Sequence, residues 1–103
     1  MRPYELTSAA EADLREIVRY SIGRWGEEQA ERYAKSLEAG FLKIASNKVL
    51  SRQFSPSYPQ VQVTKCQHHY IFYVLREGNV PHVLAVLHER MDLINRLQER
   101  LSK

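Results

Sequence analysis

Between Ala10 and Ala45 the apolar residues fall on two stripes of helical period, and only Gly23–Gly26 separates them. The first stripe is Ala10, Leu14, Ile17, Val18 and Ile22; the second is Ala30, Ala34, Leu37, Phe41, Ile44 and Ala45. Spacings of three and four residues place each set on one face of an α-helix. A link this short folds the two helices back on each other as an antiparallel hairpin. The hairpin then has an apolar side that must face a core, which restricts what the rest of the chain can form.

The sequence punctuates these helices. Arg2–Thr7, with Tyr4 and Leu6 alternating against Glu5, predicts a short strand. Ser8-Ala9-Ala10-Glu11 matches a capping box, so the first helix is expected to open at Ser8. The second is expected from about Glu27 to Ser46, with Gly40 inside it at a helix-propensity cost of about 1 kcal/mol unless it marks a close approach to the sheet. From Asn47 to Gln60 periodicity is lost around Pro56 and Pro59, which predicts a surface loop. Three strands follow, Val61–Cys66, His69–Arg76 and Val80–His88, joined by tight turns at Gln67-His68 and Glu77-Gly78-Asn79. Links of that length imply an antiparallel meander, with Pro81 at a strand's beginning or edge. Asp92 then opens a short helix with Leu93, Leu97 and Leu101 on one face, which is expected to dock on its own sheet, with insertion into a partner's groove as the competing reading. The expected class is α+β in the order β-α-α-β-β-β(-α), with helices on one face of an antiparallel sheet and one domain spanning residues 1–103.

The chain carries 44% apolar residues, too many for a disordered chain. No apolar run approaches the roughly 20 residues a membrane helix requires, so no membrane association is expected. A single cysteine, Cys66, precludes an internal disulfide and suits a reducing compartment, and a cytoplasmic location is expected. The net charge of +3 is uneven: residues 48–103 carry eight Lys/Arg against four Asp/Glu, while residues 1–47 carry seven against eight. A basic C-terminal half is compatible with an acidic partner or with nucleic acid.

Few residues point to chemistry. Cys66 with His68, His69, His82 and His88 lacks the paired spacing of zinc sites, and no metal or other cofactor is expected. There is no P-loop, dinucleotide fingerprint or nucleophile elbow. Lys65, His69, Tyr70, Tyr73, Arg76, His88 and Arg90 would supply a base, cations and an acid for metal-free RNA cleavage. Against this, alternation sends Tyr70 and Phe72 to one sheet face and Ile71 and Tyr73 to the other. The segment most suggestive of a site is Leu87-His88-Glu89-Arg90-Met91-Asp92, a charged cluster where an apolar strand gives way to a helix.

Four segments resemble one family. They are Tyr4-x-Leu6-Thr7-x-x-Ala10-x-x-Asp13-Leu14-x-x-Ile17, Arg24-Trp25-Gly26-x-x-Gln29, Cys66-x-His68-His69-Tyr70-x-Phe72 and Leu87-His88-Glu89-Arg90-Met91-Asp92. Together they make the chain similar, over nearly its whole length, to the ParE toxins of the RelE/ParE toxin–antitoxin superfamily, in the plasmid-maintenance branch with a helical C-terminal extension. The resemblance implies a toxin that inhibits DNA gyrase, blocks replication and is neutralised by a ParD-type antitoxin in a heteromeric complex. It implies neither catalytic residues nor sequence-specific nucleic-acid binding. On this basis His88, Arg90, Met91 and Asp92, with Arg96 and Arg100 beyond them, are expected to face the target. Ile22, Trp25 and Tyr33 are expected to anchor the antitoxin. Many relatives carry Arg where this chain has Gln62, which implies either weaker toxicity or a greater reliance on Lys65 and Arg90. The alternative function is a ribosome-dependent mRNA endoribonuclease, since the family is similar in fold to such enzymes. The absence of a tyrosine after His88 counts against it.

Overall fold

A computed structural model of the chain describes residues 3–102. Its elements run β1 (Glu5–Leu6), α1 (Ser8–Trp25), α2 (Glu27–Ala45), β2 (Arg52–Ser55), β3 (Tyr58–Cys66), β4 (His69–Leu75), a 3-10 turn (Glu77–Asn79), β5 (Pro81–His88) and α3 (Leu93–Leu101). One five-stranded sheet has the order β1-β5-β4-β3-β2. The meander β3-β4-β5 is antiparallel as expected, but β1 pairs with β5 in parallel, so the sheet is mixed.

The helical hairpin covers one sheet face. Ala10, Leu37, Phe41 and Ile44 pack there with Ile71, Tyr73, Val83 and Val86, and the partly buried Leu14 and Ile17 join them. Ile22, on the same sequence stripe, projects outward. Gly40 is where α2 approaches the sheet closely: a Cβ added there would lie 2.9 Å from Cys66 Sγ and 3.3 Å from Ile71 Cδ1. Only a residue without a side chain lets the helix settle at that depth.

Three expectations are corrected. First, α3 packs on the opposite face from the hairpin, so helices lie on both sides of the sheet. Its Leu97 is fully buried, and Leu93 and Leu101 are partly buried, over Val61, Val63, Phe72, Val74, Ala85 and Leu87. An amphipathic stripe says that a helix docks, not on which side. Second, the segment before residue 61 is not all loop. β2 pairs with β3 through Arg52↔Val63 and Gln53↔Gln62, and β3 itself begins at Tyr58. The ladder is irregular between Gln53 and Ser55, and Pro59 falls in that stretch, where a missing N–H costs no regular bond. Third, the cap of α1 is Thr7 rather than Ser8. Its hydroxyl accepts from Ala10 N–H at 3.1 Å while its own N–H donates to Val83 O at 3.1 Å, so one residue ends β1 and starts α1. Arg2, at the start of the expected first strand, lies outside the described residues.

The outer side of β5 beyond β1 is closed by side chains. Leu84 is an extra residue between the pairs Tyr73↔Val83 and Phe72↔Ala85, a bulge that frees its carbonyl. That carbonyl accepts from Thr7 Oγ1 at 3.4 Å and Arg100 Nη1 at 3.2 Å. Val86 N–H donates to Asp13 Oδ2 at 2.9 Å, and Arg100 grips the same carboxylate bidentately at 2.5 and 3.0 Å. Groups that would otherwise invite another strand are thereby satisfied within the chain.

Candidate functional site

The site forms at one end of the sheet, where the β3–β4 turn meets the end of β5. Gln67 takes the left-handed conformation, φ +57°, that lets so short a turn reverse the chain. His69 then sits opposite His88 in the ladder. Pairing continues one step past β5, with Glu89 N–H donating to His68 O at 2.9 Å.

Glu89 is the electrostatic centre of the turn. One carboxylate oxygen is 2.9 Å from Lys65 Nζ and the other 2.9 Å from His68 Nδ1. These two hydrogen bonds hold its carboxyl at about 2, and the Lys65 ammonium is raised in return. Lys65 also lies 5.6 Å above the Tyr70 ring.

On the hairpin side, Tyr33 of α2 reaches the two histidines. Its oxygen accepts from His68 N–H at 3.2 Å and lies 2.6 Å from His69 Nδ1. The hydroxyl and Nδ1 share a hydrogen bond in which either can donate, according to the His69 tautomer. Burial, reinforced by His88, lowers His69 to about 4, so the ring is neutral. Burial also raises Tyr33, which keeps its proton. The edge of one imidazole meets the face of the other in the pair His69–His88, with centroids 5.0 Å apart. His88 then organises the next residues, since its Nδ1 accepts from Arg90 N–H at 3.1 Å and its carbonyl from Met91 N–H at 3.0 Å.

The expected target-facing residues therefore divide. Arg90 and Met91 are exposed on the turn, and Met91 at 44% exposure is no core plug. Arg96 is exposed on α3. Asp92 is the helix cap, accepting from Asn95 N–H at 3.4 Å and Asn95 Nδ2 at 2.6 Å. Arg100 is not the free cation expected of it: Asp13 holds it against the body, and Lys103 lies outside the described residues. Of the expected antitoxin anchors, Ile22 and Trp25 are exposed, Trp25 in an edge-to-face pair with Tyr20 at 6.1 Å. Tyr33 is only partly exposed, and its hydroxyl is committed inside the fold.

The residues of the ribonuclease alternative are split between the two sheet faces, although His69 and His88 adjoin at the turn. Lys65 and Tyr70 flank a shallow groove of about 330 Å³ beside Leu50–Arg52. His69 and Tyr73 lie on the other face, with His69 bonded to Tyr33 and Tyr73 OH to Ser51 Oγ at 2.5 Å. Among the described residues no group of three His, Cys, Asp or Glu is placed to hold a metal, and no helix is long and apolar enough to cross a membrane.

The sequence reading missed Glu89 as a bridge, the Tyr33 contact and the Asp13–Arg100 pair. Only Asp13 left a trace: three residues after Ala10, it adjoins the core-facing stripe rather than the solvent side.

Comparison with known proteins agrees with this architecture. Residues 4–93 match the family described as ParE toxin of type II toxin–antitoxin system, parDE. The chain is 44% identical over 102 residues to Toxin ParE of Escherichia coli, covering 99% of each. It is 36% identical over 91 residues to Toxin ParE1 of Mycobacterium tuberculosis, covering 87% of this chain and 92% of that one. A solved chain titled chromosomal ParDE TA system from P. aeruginosa superposes with a TM-score of 0.70 at 18% identity, covering 82% of this chain and 92% of that one, which supports the fold. The chain belongs to the ParE family of toxins of type II toxin–antitoxin systems.

Proposed function

We propose that this chain inhibits DNA gyrase and so blocks replication, acting in the cytoplasm by binding rather than by turnover, and that a ParD-type antitoxin neutralises it in a heteromeric complex. The supporting observation is the 44% identity with a ParE toxin along 99% of both chains, which spans the turn after β5 and α3 alike. A role in plasmid maintenance fits the same likeness. Arg90 and Arg96 supply exposed cations to the target, Arg90 with a planar fork of donors, and Met91 adds an apolar contact between them. His88 and Asp92 shape this surface, and Arg100 secures the helix that carries Arg96. Ile22 and Trp25 offer apolar anchors for an antitoxin segment that folds on binding, with the Tyr33 ring as a further contact.

The test is a supercoiling assay with purified gyrase beside primer extension on cellular mRNA after induction. Lost supercoiling or cleaved complexes support gyrase inhibition; codon-positioned cuts with supercoiling intact would replace it with the endoribonuclease. Arg90→Ala and Arg96→Ala are the clean probes, because truncation before Asn95 also removes the buried Leu97 and the Arg100 clasp. Both variants fully active would reject this surface. For the antitoxin, Ile22→Ser with Trp25→Ala should weaken toxin–antitoxin binding at least about tenfold, and unchanged affinity would reject these anchors.

A further inference from the structure

Two chains of contacts lead from one hydroxyl to the exposed turn after β5. The first runs through His68, whose N–H donates to Tyr33 and whose ring holds Glu89. The second runs through His69, whose Nδ1 is hydrogen-bonded to the Tyr33 hydroxyl and whose ring abuts His88, the acceptor for Arg90 N–H. Glu89 and Arg90 are consecutive, so the two chains converge on adjacent residues. Tyr33 belongs to α2, 35 positions before His68 in the chain.

We propose that Tyr33 is a positioning residue: its hydroxyl fixes both histidines of the β3–β4 turn and through them sets the conformation in which Glu89, Arg90 and Met91 are presented. Packing alone does not demand that hydroxyl, since the ring already lies against His69 with centroids 5.5 Å apart, a contact phenylalanine would keep. What phenylalanine lacks is the acceptor for His68 N–H and the hydrogen-bond partner of His69 Nδ1. Without them the buried imidazole has no partner on that side and is free to rotate or to change tautomer. His88 then loses the fixed ring it packs against, and Arg90 N–H loses a fixed acceptor. The inference rests on the proposed target surface for its functional consequence, but not for its structural one.

Tyr33→Phe tests it by three readouts. Imidazole nitrogen resonances should show His69 as a single, hydrogen-bonded tautomer in the parent and a displaced Nδ1 signal in the variant. Backbone amide resonances of Glu89, Arg90 and Met91 should move, while those of β2 and the 3-10 turn stay in place. The concentration that half-inhibits supercoiling should rise about tenfold, with the far-UV spectrum unchanged. Tyr33→Trp serves as a control that also removes the phenol but fills the space, and it should reproduce the amide changes. Unmoved amides at Arg90 and Met91 overturn the proposal whatever the target is. Moved amides with unchanged inhibition, in a parent that inhibits gyrase, overturn the functional consequence. If the parent leaves gyrase untouched, the gyrase reading fails, and the amide result alone decides whether Tyr33 positions the turn.

Discussion

Acid should weaken this fold first through His69, and the size of the effect follows from its burial. The ring is held at about 4 instead of 6.5, chiefly because it is buried and next because His88 lies beside it. An unfolded chain takes up the proton near 6.5; the folded one refuses it until about 4. Protons therefore favour the unfolded state between those limits, and stability that is complete above 6.5 drains away as pH falls towards 4. The interval is worth about 3 kcal/mol in full, and about 2 to 3 kcal/mol has gone by roughly pH 4.5. Tyr33, His68, His88, Glu89 and Asp13 are the titratable groups around the ring. Glu89, held at about 2, acts in the same direction, but only as pH falls below 4.5. The experiment is urea unfolding followed by far-UV circular dichroism at about pH 7 and about pH 4.5, for the parent and for His69→Gln. Whatever the substitution costs at neutral pH, the parent should lose about 2 kcal/mol more than the variant between the two conditions. Equal losses would mean that His69 titrates normally and that the buried, neutral imidazole is wrong.

Gly40→Ala should cost about 1 to 2 kcal/mol in thermal unfolding despite its better helix propensity, and adding Cys66→Ala should recover much of it; a fully stable single variant would refute the close approach. Asp13→Ala strands Arg100 and Val86 N–H together, so a loss of about 3 kcal/mol is expected, with strong coupling to Arg100→Ala in a double-mutant cycle. Additive losses would show that the two side chains act apart. Leu97→Ala should cost about 2 to 5 kcal/mol and Asp92→Ala about 1 kcal/mol by chemical denaturation, and the reverse ranking would place α3 off the sheet.

The hairpin and the three-strand meander were legible because their signals are periodic: three-and-four spacing for Leu37, Phe41 and Ile44, alternation for Ile71, Phe72 and Tyr73. β2 was not, since a four-residue border strand with no fully buried side chain shows no alternation, and the prolines after it read as loop. The side of the sheet taken by α3 was hidden for another reason. Both faces of β4 and β5 are apolar, so either would accept a leucine stripe. At the site, Arg90, Met91 and Asp92 stood out as a charged turn, and their exposure or capping role matches that pattern. Arg100 did not, because a cation on a helix flank gives no hint of an acid 87 positions earlier.

The order of the strands carries a consequence for how the molecule comes into being. Of the five strands β1 is made first, yet among the described residues its sole neighbour is β5, the last of them to be synthesised, and Asp13 waits until Arg100 exists. A growing chain can assemble its hairpin early, but it cannot complete this border until β5 and α3 have been synthesised. The protein is thus withheld from its mature shape until Arg100 has left the ribosome.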